Sequence, residues 1–194
     1  LPIYIKEKDT QVTVTARPLK DRTYTANWKE NSYTIVFNVE GEVTRGEMKN
    51  IPLRYTQETT IPKNGYVCGG YKFVGWRTGG KKSEQKVYQP GDKVSRLCAT
   101  NNGTVNLYPI WEPCEYTITF DYQTGNKREK VTCKYKETYT LPTVNRLGWT
   151  FEGWSRFAGS TNAISYAPNV KTAVFEDEKD FTLYAVYKPI TSAV

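Results

Sequence analysis

The stretch "YKFVGWRTGG" (Tyr71–Gly80) returns, lightly edited, as "WTFEGWSRFAG" (Trp149–Gly159). Each reads aromatic, any residue, Phe, any residue, Gly, Trp, and then a polar turn that contains Gly. A catalytic motif is normally used once, whereas a phrase that returns in phase marks a repeated structural unit. Outward from the phrase, further landmarks recur in the same order. The first copy opens with "SYTIVFNVEG" from Ser32, passes "IPLRYTQETTIP", and closes with "GTVNLYPIW" ending at Trp111. The second opens with "EYTITFDYQTG" from Glu115, passes "VTCKYKETYTLP", and closes with "FTLYAVY" ending at Tyr187. The period is roughly 75 to 85 residues.

The landmarks predict strands. Tyr33, Ile35 and Phe37 alternate with Thr34, Val36 and Asn38, and Tyr116, Ile118 and Phe120 repeat the pattern. Period two is the mark of a half-buried strand. "QTGN" (Gln123–Asn126) predicts a turn with Gly125 at positive φ, and "REKVTCKYK" alternates again, so the two segments predict a hairpin. Ile61-Pro62 and Leu141-Pro142 end the pairing that precedes them, because proline has no N–H for a ladder. These readings divide the chain into full repeats at 32–112 and 115–188 with very short linkers, and a linker or tail at 189–194. "TYTANW" (Thr23–Trp28) matches the closing strand, so 1–29 reads as the C-terminal part of a preceding repeat or related module. Short linkers predict a semi-rigid rod rather than loose beads.

Composition agrees with a mainly β chain. Tyr, Thr and Val are frequent, and the 194 residues are only 38% hydrophobic, which suits thin sheets with one wet face. The net charge of +7 is dispersed, with its largest part in 32–114. A dispersed surplus fits a soluble surface, and secondarily an anionic partner such as a sulfated glycan or wall polymer. Nucleic acid is not expected, since there is no dense Arg stripe or nucleic-acid motif. No apolar run is long enough to insert in a membrane as a helix. The first residue is Leu, which reads as a fragment or processed form with flanking domains.

The combination "YTITFDYQTG", "GWTFEGW" and "FTLYAVY" resembles the Listeria–Bacteroides repeat, known also through the B repeat of internalin-type surface proteins. The resemblance covers about residues 32–188. It implies small tandem β-grasp-like (ubiquitin-like) modules, extracellular placement on a bacterial cell surface or in a secreted protein, and a stalk or adhesion role without catalysis. Two departures stand out: this chain has cysteines, and its first repeat carries the insertion "KNGYVCGGYKF".

In such a module Trp76 and Trp154 are expected to anchor the cores, packing on Phe73 or Phe151 and on a closing-strand Tyr. The alternative is an exposed glycan-stacking platform. Gly75 and Gly153 are expected to admit a close backbone or a strand bend. The four cysteines, Cys68, Cys98, Cys114 and Cys133, permit three pairings. Folding the hairpin about Gly125 brings Cys114 near Cys133, which predicts a cross-strand disulfide, with Cys68–Cys98 pairing by default; the alternative is four buried free thiols in a cytosolic protein.

The chain has no histidine, which excludes Ser-His and Cys-His nucleophile systems and leaves no zinc motif. "EDEKD" (Glu176–Asp180) lacks the ligand spacing of a calcium loop. No catalytic, cofactor or metal residue is expected. The basic loops that hold Lys81 and Lys82, and Lys127, Arg128 and Lys130, are solvated turns first and the place for a polyanion contact second. The function expected from the sequence is a spacer and adhesion-related segment, with direct binding of host glycan or host protein as the runner-up.

Overall fold

The computed structural model describes residues 2–7, 10–15 and 25–191. Strands β1 (Pro2–Glu7) and β2 (Thr10–Thr15) pair antiparallel. Of the closing strand expected at Thr23–Trp28, Thr23 and Tyr24 lie outside the described residues; 25–31 carry no strand, and Trp28 is 64% exposed.

The first repeat then runs through β3 (Ser32–Phe37), β4 (Val43–Arg45), β5 (Ile51–Arg54), β6 (Thr59–Thr60), β7 (Val67–Cys68), β8 (Tyr71–Thr78), β9 (Val87–Tyr88), β10 (Lys93–Val94) and β11 (Gly103–Pro113). The second runs through β12 (Glu115–Asp121), β13 (Arg128–Lys134), β14 (Thr138–Thr140), β15 (Trp149–Ser155), β16 (Thr172–Val174) and β17 (Phe181–Pro189). The main sheets are ordered β5-β3-β11-β8-β9 and β13-β12-β17-β15. In both, the opening strand lies parallel to the closing strand, as β3 to β11 and β12 to β17. The Gly-Trp strand lies antiparallel on the other side of the closing strand. The twice-spoken phrase is therefore one strand of each sheet.

A parallel pair needs a long crossover. Here the crossovers are loops and two-stranded ribbons, β6 with β10 and β14 with β16. The β-grasp expectation would place a helix there. Among the described residues the helical content is one 3-10 turn, Lys82–Glu84. Pro62, Gly65, Gly69 and Gly70 in one crossover, and Pro142 and Gly148 in the other, discourage a helix.

The alternation read from sequence is the burial pattern. Tyr33, Ile35 and Phe37 on β3, and Tyr116, Ile118 and Phe120 on β12, face two separate cores. Each core closes on its tryptophan. Trp76 meets Phe37 and Phe73 at ring-centre distances of 4.8 and 5.1 Å. Trp154 meets Phe120, Tyr122 and Phe151 at 4.9, 5.7 and 5.6 Å. Edge-on aromatic geometry of this kind adds about 1 kcal/mol per pair beyond burial.

The tyrosines of the second core set an alkaline limit. Burial pushes the Tyr116 phenol up to about 12, and burial together with the hydrogen bond to Glu129 does the same to Tyr122. A folded pKa above the ordinary value near 10 stabilises the fold below that value. The contribution is lost as pH rises from about 10 toward 12. Thermal melts across that window are expected to show the second repeat losing stability steadily, with Tyr122→Phe flattening the slope.

Candidate functional site

Trp76 and Trp154 are 0% and 1% exposed, so neither offers a stacking face to a sugar. Phe73 and Phe151 are half-buried against them and reach Trp111 and Tyr187 of the closing strands. Gly153 sits where the β15–β17 register shifts. A Cβ there would lie 2.2 Å from the Tyr166 carbonyl oxygen, so this backbone approach requires glycine.

The expected disulfides are not present: all four cysteines are free thiols. The β12–β13 register explains the Cys114–Cys133 case. It sets Cys133 opposite Tyr116, and the Tyr135 amide donates to the Cys114 carbonyl at 2.9 Å. Cys114 and Cys133 are thus diagonal, a separation of roughly 7–8 Å between Cα atoms, beyond the usual disulfide span. Cys68 lies on β7 opposite Val43, while the Cys98 thiol turns to the Thr100 carbonyl at 3.9 Å. Burial pushes the thiols of Cys68 and Cys133 up, away from the reactive thiolate form.

The basic residues fall into two loops on different repeats. Lys81 and Lys82 flank and enter the 3-10 turn and are exposed. Lys127 lies 4.6 Å over the Tyr122 ring, and Lys130 is exposed on β13. Among the described residues no carboxylate pairs with these four. Arg128 differs, because its Nε donates to Asp121 at 2.8 Å and closes the hairpin. The acidic loop is likewise occupied: Asp177 takes a two-pronged hydrogen bond from Arg156 at 2.8 Å, and Asp180 accepts the Thr117 amide at 2.7 Å.

The most developed constellation is the junction between repeats, which sequence reading did not find. One residue, Cys114, separates β11 from β12. Its amide donates to the Gly70 carbonyl at 2.8 Å. The Tyr135 ring, just past β13, lies against Gly70, where an added Cβ would fall 2.4 Å from ring atoms. Tyr135 also meets Tyr71 edge-on at 5.3 Å. Lys136 reaches back to Glu42 at 2.8 Å, an ion pair bridging the two repeats. The sequence held one signal for this: Tyr55 and Tyr135 occupy the same phase, six residues before Ile61 and Leu141. Neither belongs to a strand. Tyr135 is therefore a knob, Gly70 the floor of its socket, and the backbone bonds at Cys114 the hinge pin.

A family model, the Listeria-Bacteroides repeat domain, matches residues 33–108 and 116–186. The chain belongs to the Listeria-Bacteroides repeat family. The two matches coincide with the two sheets, and the junction lies between them. Similar proteins include one from Evansella cellulosilytica described as a Gly-rich membrane protein, 27% identical over 69% of this chain. A second from the same organism, described as a membrane protein, is 26% identical over 84% of the chain. The chain spans 15% and 22% of the lengths of these relatives.

Proposed function

We propose that this Listeria-Bacteroides repeat pair is a non-catalytic segment of a secreted or cell-surface protein, a stalk that spaces and orients a binding domain and contributes to adhesion. The observation that carries the reading is the docked junction: a one-residue linker, a Tyr135 knob on Gly70 and a Lys136–Glu42 pair, which suit transmission of orientation rather than chemistry. The relatives described as membrane proteins, of which the chain would form a modest part, support placement at a surface. The strand order, with opening and closing strands parallel at the centre, supports a β-grasp-like module of the internalin B-repeat kind in which ribbons replace the crossing helix. The lack of histidine and the raised thiols of Cys68 and Cys133 support the absence of catalysis.

A second reading rests on Lys81, Lys82, Lys127 and Lys130, whose charges are uncompensated by any described carboxylate. They suit a sulfated host glycan or an anionic wall polymer. Binding of the folded chain to host cells and to immobilised sulfated glycans, at low and physiological salt, separates the two readings. The stalk reading, in which the chain serves adhesion only through the domain it presents, expects no saturable binding. Saturable binding that weakens with salt and with Lys→Glu at these four positions would make the chain an adhesin module itself. Arg128 is unsuitable for charge reversal: Arg128→Glu is expected to loosen the β12–β13 hairpin by setting a carboxylate against Asp121.

A further inference from the structure

One corner of the repeat is plugged in the second copy and open in the first. In the second repeat Phe175 meets Tyr166 and Phe181 at ring-centre distances of 5.5 and 5.4 Å. Arg156 lies 4.2 Å over the Phe181 ring, donates to the Tyr166 hydroxyl at 3.2 Å and is held by the Asp177 carboxylate. The buried Tyr116 hydroxyl is satisfied there too, donating to the Phe175 carbonyl at 3.4 Å.

Strand register identifies the counterparts in the first repeat. Val105 opposes Ile35 as Phe181 opposes Ile118, and Tyr88 pairs with Trp76 as Tyr166 bridges to Trp154. Thr78 stands two residues after Trp76, as Arg156 does after Trp154. Arg96 stands two residues past the partner of Thr59, as Phe175 does past the partner of Tyr139. Val105 and Thr78 are smaller than Phe181 and Arg156, and Arg96 is exposed where Phe175 is buried. The lost side-chain volume leaves a cavity of about 390 Å³, walled by Thr78, Lys86, Tyr88, Ser95, Arg96 and Val105 among others.

Three features distinguish this cavity from a packing void. Tyr33, the counterpart of Tyr116, is 1% exposed, and its hydroxyl has no partner among the described residues. Such a group is costly to leave unpaired. Its phenol is a neighbour of the cavity wall: burial first, and Tyr33 second, push the Tyr88 phenol up. Arg96 holds a φ of +57°, a left-handed backbone that disfavours a residue with a Cβ and that recurs at functional sites. Lys86 and Arg96 bring two cations to the cavity against the single carboxylate of Glu84, and no described ion pair holds either. The second repeat supplies its own anion at this corner, Asp177; the first does not.

We propose that this cavity binds one anionic sugar residue, with its carboxylate or sulfate on Arg96 and Lys86 and its ring hydroxyls on Tyr33, Tyr88 and Ser95. The volume lies in the range of small-molecule sites and exceeds what an inorganic anion fills. A guanidinium fork matches the paired oxygens of a carboxylate or sulfate. The proposal deepens the anionic-glycan reading and rests on it, adding one saturable site in the first repeat to the exposed lysines. The second repeat, plugged by Phe175, binds no sugar at this corner.

The test titrates the whole chain with glucuronic acid, representing a uronic wall polymer, and with sulfated N-acetylglucosamine, representing a sulfated host glycan; glucose is the control. Amide shifts are the readout. The expected result is saturable shifts at Tyr88, Ser95 and Arg96 with an anionic sugar, none with glucose and none across 115–189; the sugar that binds more tightly names the source. Arg96→Gly removes the guanidinium and relaxes the backbone, so affinity is expected to fall on the order of tenfold while the melting temperature holds or rises. Tyr33→Phe deletes an unpaired hydroxyl and is expected to weaken binding several-fold without loss of stability. Shifts confined to the lysine loops, or binding that survives both variants, would overturn the proposal. Absence of sugar binding while the immobilised sulfated glycan is still held through the four lysines would overturn the cavity and leave the anionic-glycan reading standing; absence of both would end that reading as well.

Discussion

Trp154→Ala is expected to unfold the second repeat while the first stays folded. The indole is 1% exposed and meets three aromatic rings, so truncation removes both its burial and its packing. Such a change costs about 3–5 kcal/mol. A module of about 75 residues has roughly 4–11 kcal/mol of stability in all, so the loss is a large part of it. The two cores share no residue, which confines the damage. Amide spectra recorded through a denaturant titration should lose the signals of 115–189 first and keep those of 32–113. The conservative versions should differ as well. Trp154 donates its Nε1–H to the Pro142 carbonyl at 3.3 Å, while the Trp76 Nε1–H is buried with no partner among the described residues. Trp154→Phe is therefore expected to cost about 1 kcal/mol more than Trp76→Phe. Equal costs would assign the indole N–H groups no role.

Gly153→Ala is expected to destabilise the second repeat by about 3 kcal/mol. Its φ of +129° strains any side chain, and the new methyl would lie 2.2 Å from the Tyr166 carbonyl oxygen. That oxygen accepts the Trp154 amide at 2.8 Å, so pushing it away opens the bridge that holds 165–167 over the core. The first repeat offers the control. At Gly75 the nearest atom to a Cβ is the Gln89 side-chain nitrogen, 2.8 Å away at the end of a flexible chain. Gly75→Ala should therefore cost distinctly less, although the two glycines hold the same place in the phrase. Thermal melts of the two variants make the comparison.

That contrast shows what the sequence could and could not tell. The strands β3, β8, β11 and their partners β12, β15, β17 were legible because period-two alternation is local and each landmark occurs twice. The buried tryptophans were legible for the same reason. The register of β12 on β13 was not. Gln123 and Gly125 both take positive φ, at 50° and 59°, and the turn they shape sets Cys133 against Tyr116 rather than Cys114. A shift of two residues decides whether two cysteines can bond, and no local pattern encodes it. The Tyr135 knob was hidden for another reason: its partner, Gly70, is defined by the absence of a side chain and lies in the other repeat. The "TYTANW" segment shows the converse: residues 25–28 continue an alternating pattern and carry no strand.

The claim on which the account turns is that the two repeats are held in one orientation by the junction. Residual dipolar couplings measured on the whole chain, with and without Tyr135→Ala, test it directly. The account predicts a single alignment tensor for residues 32–113 and 115–189 in the parent chain, and two different tensors once the Tyr135 ring is gone. Two tensors in the parent chain itself would mean that the repeats move independently, and the oriented stalk would have to be given up.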